Sequence, residues 1–177
     1  MRKLLLWQIL LVLILAVPAV AQLTADDNLI IPGQRIGPAA IGMTLQQAYS
    51  IFGDPSQQQR MRDGIIYSWG GPPEGVEYRS GFGLGLFISN GRGMVRWVST
   101  NNPRYQTPDG VGVGATGMRV RAILGAPTRD EILRPPNGVS PGAIPSLETM
   151  WYGRRELAIV VNLSTGRVQT VTVWPPD

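Results

Sequence analysis

Residues 110–125 read GVGVGATGMRVRAILG, and Gly112, Gly114 and Gly117 spell G-x-G-x-x-G. That spacing lets a backbone close around a pyrophosphate at a helix N-terminus. A dinucleotide cradle also needs a preceding strand, a parallel sheet and an acidic residue about 20 residues further on. Here the preceding segment, TNNPRYQTPDGV (100–111), is a Pro-bearing linker, and the strands elsewhere read as antiparallel. The glycines are therefore expected to serve the fold, with no bound cofactor.

Other chemistry is sparse. Ser nucleophiles are present, but there is no His or Cys to activate them, and the one Lys, Lys3, lies in an N-terminal leader. A pair of carboxylates could do acid/base work on a glycan or peptide. The candidates are Asp54, Asp63, Glu74, Glu77, Asp130, Glu131, Glu148 and Glu156, mostly in loops or beside turns. Without His or Cys, only oxygen ligands for Ca²⁺ or Mg²⁺ remain, and the adjacent pairs Asp26-Asp27 and Asp130-Glu131 lack the EF-hand spacing. The expectation is a protein that is not an enzyme and holds no metal. An envelope hydrolase using a carboxylate pair is the alternative.

The leader, MRKLLLWQILLVLILAVPAVAQ, has basic Arg2 and Lys3, an apolar run from Leu4 to Val17, the breaker Pro18, and Ala19-Val20-Ala21 before Gln22. The run is shorter than the roughly 17–25 residues that span a bilayer, and the small-residue exit reads as a cleavage site. Residues 1–21 are thus expected to be a signal peptide, with export to the periplasm or the medium. No second spanning run follows, and there is no Cys to carry a lipid. The mature chain is therefore expected to have no membrane span and no lipid anchor. Of 16 basic residues two lie in the leader, against 12 acidic ones, and the arginines are scattered. No nucleic-acid-binding stripe is expected.

The elements behind these residues repeat. IGMTLQQAYSIFGDPS (41–56) and VGATGMRVRAILGAPT (113–128) match at a constant offset of 72, sharing Gly42/Gly114, Thr44/Thr116, Ile51/Ile123, Gly53/Gly125 and Pro55/Pro127. Each reads as one short helix. Thr44 and Thr116 are N-caps, with Gln47 completing a capping box in the first copy; Gly53 and Gly125 stop the helix, and Pro55 and Pro127 prevent its continuation. LFISNGRGMVRWVST (86–100) matches IVVNLSTGRVQTVTV (159–173) at an offset of 73, and both read as β-hairpins. An earlier strand is expected in each copy, at 65–69 and 149–152. The predicted class is α+β: two tandem repeats, each a short helical segment followed by about three antiparallel strands. Residues 22–34 form a loose N-terminal lead, 35–100 repeat 1, 101–111 the linker and 112–177 repeat 2. The inserts 70–83 and 134–146 are Gly/Pro-rich and read as loops.

The phrase Gly42-Met43-Thr44 … Gly53-Asp54-Pro55, kept as Gly114, Thr116 and Gly125-Ala126-Pro127, resembles the SmpA/OmlA (BamE) outer-membrane lipoproteins. The layout also resembles the β-lactamase inhibitory proteins, which are built from two tandem copies of a related unit. The resemblance implies a helix-plus-antiparallel-sheet unit that binds other proteins. It departs from the first family in lacking the lipidated Cys and from the second in lacking disulfides, and no family binding residue carries over.

A protein partner is therefore the expected ligand. Candidate contacts are aromatic and arginine residues on the strands, Arg96, Trp97, Trp151 and Tyr152, and two aromatics in the Gly/Pro-rich insert, Tyr78 and Phe82. Strand alternation predicts Val95, Trp97 and Ser99 on one face with Met94, Arg96 and Val98 on the other, and Val168, Thr170, Thr172 and Trp174 together.

Overall fold

The computed structural model of the protein describes residues 27–70, 83–134 and 145–176. Three two-residue strands come first: β1 (Ile30–Ile31), β2 (Arg35–Ile36) and β3 (Ala39–Ala40). Helix α1 (Leu45–Phe52) leads into β4 (Gln57–Arg60), β5 (Gly64–Trp69), β6 (Leu84–Ser89) and β7 (Val95–Thr100). Helix α2 (Gly117–Leu124) leads into β8 (Arg129–Leu133), β9 (Leu147–Tyr152), β10 (Leu157–Asn162) and β11 (Arg167–Val173). Strands β4–β11 form one antiparallel sheet of eight in the order β4-β5-β6-β7-β11-β10-β9-β8, and β1–β3 form a small antiparallel sheet of three.

The expected α+β class, with a helix and three strands per copy, is thereby corrected. The protein is mostly β, and among the described residues each of its two helices precedes four strands of the large sheet. The additional strands, β4 and β8, are its two edges. Every residue of both is exposed, so QQQR and RDEIL carry no apolar alternation that would mark them as strands.

The helices form where the apolar spacing places them. Thr44 accepts from the Gln47 N–H, while the Gln47 side chain accepts from the Thr44 N–H at 2.8 Å; Thr116 accepts from the Arg119 N–H. Each helix is only two turns long, too short to hold without packing. Each packs on one face of the sheet, burying Ala48 and Val120 among Tyr67, Trp69, Leu86, Val98, Met150, Tyr152, Ile159 and Val171. One aromatic hydroxyl or indole pins each helix end: Trp69 Nε1 donates to the Gly53 carbonyl (3.0 Å) and the Tyr152 hydroxyl to that of Gly125 (3.3 Å).

The N-terminal segment is not a loose lead. Ile30 and Ile36 are fully buried in the same core, which also takes Tyr105 and Val111 from the linker. The Ile30 N–H donates to the Gln106 carbonyl and the Gln106 N–H to that of Asn28, which lashes the two segments together. Asp27 accepts from the Leu29 N–H and pairs with Arg35, and these contacts hold its carboxyl below its ordinary pKa.

The G-x-G-x-x-G glycines have separate tasks. Gly114 adopts φ +88°, as Gly42 does at +80°, and the N–H of each donates into the large sheet, to Val168 and Val95 respectively. Gly112 lies against the linker, where a Cβ would stand 2.4 Å from the Tyr105 carbonyl oxygen. Gly117 opens α2. Among the described residues the strands of both sheets pair antiparallel, not in the parallel way that a dinucleotide site requires.

Candidate functional site

The sheet is two-sided, and register assigns every strand residue to a face. The helices and the small sheet cover one face. The other carries, across successive strands, Phe87 (β6), Trp97 (β7), Thr172 (β11), Ala158 (β10) and Trp151 (β9), with Trp174 just beyond β11. None of Phe87, Trp97, Trp151 and Trp174 joins the core cluster, and all four are half-buried. Among the described residues no helix or strand packs over this outer face.

A β-bulge sets the site. Phe87 pairs with Trp97 and Ile88 with Val95, so Arg96 is an extra residue with no partner on β6. Val95 and Val98 then both face the core, and Arg96 and Trp97 both face outward, where they line one cleft. This corrects the simple alternation, which separates Arg96 from Trp97 and aligns Trp97 with Val95. The second half contains the same device: Val160 pairs with Thr170 and Val161 with Val168, leaving Gln169 extra, so buried Val168 and Val171 face inward. Val168 accordingly does not share the outer face of Thr170, Thr172 and Trp174.

The two halves meet where β7 pairs with β11, over residues 98–100 and 171–173 only. One step beyond, the strands part, and the Trp174 N–H turns to the Glu156 carbonyl (3.3 Å). Trp97 and Trp174 stand on either side of this opening. Trp97 stacks on Phe87, with ring centroids 5.3 Å apart and planes 9° apart. Trp174 leans the other way onto Trp151, at 5.6 Å and 57°. The cleft between them, about 490 Å³, is lined by Phe87, Trp97, Trp174, Pro175, Pro176 and the guanidinium-bearing Arg92 and Arg96. It is apolar in its walls and positive at its rim, and among the described residues no acidic side chain lines it.

Of the sequence candidates, Arg96, Trp97 and Trp151 lie on this face. Tyr152 does not: it is 4% exposed and faces α2, where burial raises its phenol pKa. Tyr78 and Phe82 lie outside the described residues, as do Glu74 and Glu77. Sequence reading missed Phe87, Arg92 and Trp174 as site residues. Phe87 is the one outward aromatic in the run LGLFIS, a weak signal that gains meaning only from Trp97 opposite it.

Of the carboxylate candidates, Asp130, Glu131 and Glu148 meet arginines, while Asp54 and Asp63 are exposed and Glu156 is half-buried. On the helix side Arg121 bridges Glu148 (2.7 Å) and Asp130 (3.7 Å), and on the outer side Arg129 pairs with Glu131 (2.9 Å). Trp151 Nε1, whose ring meets that of Trp174, is buried without a hydrogen-bond partner among the described residues. Among the described residues no helix is long and apolar enough to cross a membrane.

No protein-family model and no curated protein sequence matches the chain. Solved structures overlap it weakly. An extracellular SCP-domain protein from Bacillus anthracis aligns at TM-score 0.45 and 9% identity, over 76% of this chain and 44% of its own. A DUF4309 family protein from Bacillus subtilis aligns at 0.45 and 15%, over 81% of this chain and 88% of its own. A cysteine-rich secretory protein from Staphylococcus aureus aligns at 0.46 and 13%, over 85% and 49%. Overlaps of this degree assign neither family nor function.

Proposed function

We propose that the protein is an exported, non-enzymatic protein-binding module, acting in cell-envelope assembly or as a protein inhibitor, and that it docks its partner on the outer face of the large sheet. The observation that carries this reading is an asymmetry. The two bulges place Arg96 and Trp97 in one half where Gln169 and Thr170 stand in the other, and Phe87 where Val160 stands. At these equivalent positions the other half carries Val and Thr, so the aromatic pair Phe87/Trp97 is not a requirement of the architecture. Trp and Arg together on a face that no described helix or strand covers are the usual anchors of a protein interface. The signal-peptide-like leader supports export, and the resemblance to inhibitory and envelope-assembly proteins supports a protein as ligand. The carboxylates held by Arg121 and Arg129 favour the binding reading over the hydrolase.

The test is photo-crosslinking in the producing cell. A photoreactive residue at Thr172, on the outer face, is expected to capture a defined partner, and one at Met118, 80% exposed on α2, is not. Capture from Met118 alone, or capture from Thr172 unaffected by Trp97→Ala, overturns the assignment.

A further inference from the structure

Resting on that docking face, we propose that the Trp97/Trp174 cleft takes an acidic, proline-bearing extended segment of a partner protein. Three observations select this ligand. The first is the floor. Around the opening the backbone is already paired: the Val95 N–H donates to Met43, the Val95 carbonyl accepts from Gly42, the Trp174 N–H goes to Glu156, and residues 98–100 hold 171–173. An added β-strand would find no ladder there. A polyproline II segment needs none, because its backbone remains solvated and it docks through side chains between aromatic walls.

The second is the attitude of the rings. Phe87 and Trp97 lie nearly parallel on neighbouring strands, so each spends one face on the other. Together with Trp174 they wall a slot and do not spread a flat platform of the kind a sugar ring stacks on. A proline ring fits a slot, and its fixed φ loses little entropy on binding. The third is charge. Arg92 and Arg96 both line the cleft, and among the described residues neither guanidinium makes a salt bridge or hydrogen bond; every other described residue lining it is uncharged. Unneutralised guanidinium groups at the rim favour carboxylates flanking the proline and disfavour basic residues there.

The experiment measures fluorescence anisotropy of a labelled Pro-Pro-Glu-Pro-Pro-Glu peptide with the exported protein, alongside its Glu→Lys and Pro→Ala counterparts and an anionic oligogalacturonate. The acidic proline peptide is expected to bind saturably and to weaken severalfold from about 0.05 to 0.5 M salt. Trp97→Thr is expected to weaken it by about 30-fold and Arg96→Gln by about tenfold; both install the residue that the other half carries and so retain the fold. Met118→Ala is expected to leave it unchanged. The proposal is overturned if the lysine or alanine peptide binds as well, if the oligogalacturonate binds in the peptide's place, or if no peptide binds at about 1 mM. Should the peptide fail while Thr172 still captures a partner in a Trp97-dependent way, the ligand class falls and the docking face stands. Failure of both removes both.

Discussion

Replacing the three glycines of G-x-G-x-x-G one at a time by alanine separates a structural from a nucleotide-binding origin. At Gly112 the new Cβ would lie 2.4 Å from the Tyr105 carbonyl oxygen and 2.9 Å from Gln106 Cγ. The backbone oxygen cannot swing away, because the linker is fixed on both sides by Gln106 and Thr107. Overpacking of this kind costs about 3 kcal/mol. At Gly114 the space is open but φ is +88°, so the cost is conformational, about 1–2 kcal/mol. At Gly117 the Cβ meets Val161 at 3.4 Å, an ordinary contact, and alanine is the better helix former, so the change gains up to about 0.5 kcal/mol. In urea, with a slope near 2 kcal/mol per M, midpoints are expected to fall by about 1.5 M for Gly112→Ala and about 0.5–1 M for Gly114→Ala, and to hold or rise for Gly117→Ala. Equal losses at all three, or the largest at Gly117, would refute the reasoning.

Tyr152→Phe leaves the Gly125 carbonyl at the end of α2 without its phenol donor and is expected to cost about 1 kcal/mol in denaturant unfolding, with Trp69→Phe costing similarly or more at Gly53. Asp27 has a folded-state pKa below its unfolded value, so its contribution is present above about pH 4 and is lost as pH falls through the folded value. Asp27→Asn is therefore expected to lower stability at pH 7 and to flatten its fall in acid; an unchanged acid limb would show that Asp27 does not anchor the N-terminal segment. The double change Phe87→Val/Trp97→Thr removes a ring pair and part-exposed apolar surface, an expected loss of about 1–2 kcal/mol, against about 3–5 kcal/mol for buried Tyr152→Ala. Thermal melts of the two variants check this difference.

The legible parts of the fold were those written in local chemistry. Thr44 with Gln47, the glycine stops at Gly53 and Gly125, and the Val-rich hairpins each announce themselves within a few residues. The edge strands β4 and β8 did not, because an edge exposed on all residues has no buried face to imprint a period of two. Ile30 read as part of a lead because two-residue strands separated by Gly33 look like loop, and its partners, Ile36 across the small sheet and the distant Gln106, are not written in its own segment. The site was half legible. Trp97 and Arg96 were visible as residue types, but a bulge cannot be seen in one strand: it exists only in the register with β6, and it alone turns both side chains to one side. Tyr152 was misplaced for the complementary reason, since the sequence shows two adjacent aromatics at 151 and 152 but not which one meets α2.

The most direct measurement is the affinity of the Thr172-captured partner for the intact protein and for the Phe87→Val/Trp97→Thr variant, both matched for folding by circular dichroism. Two anchor residues lost from the centre of an interface predict a fall of at least about 100-fold. Equal affinity in the two folded proteins would contradict the assignment of the outer sheet face as the docking surface.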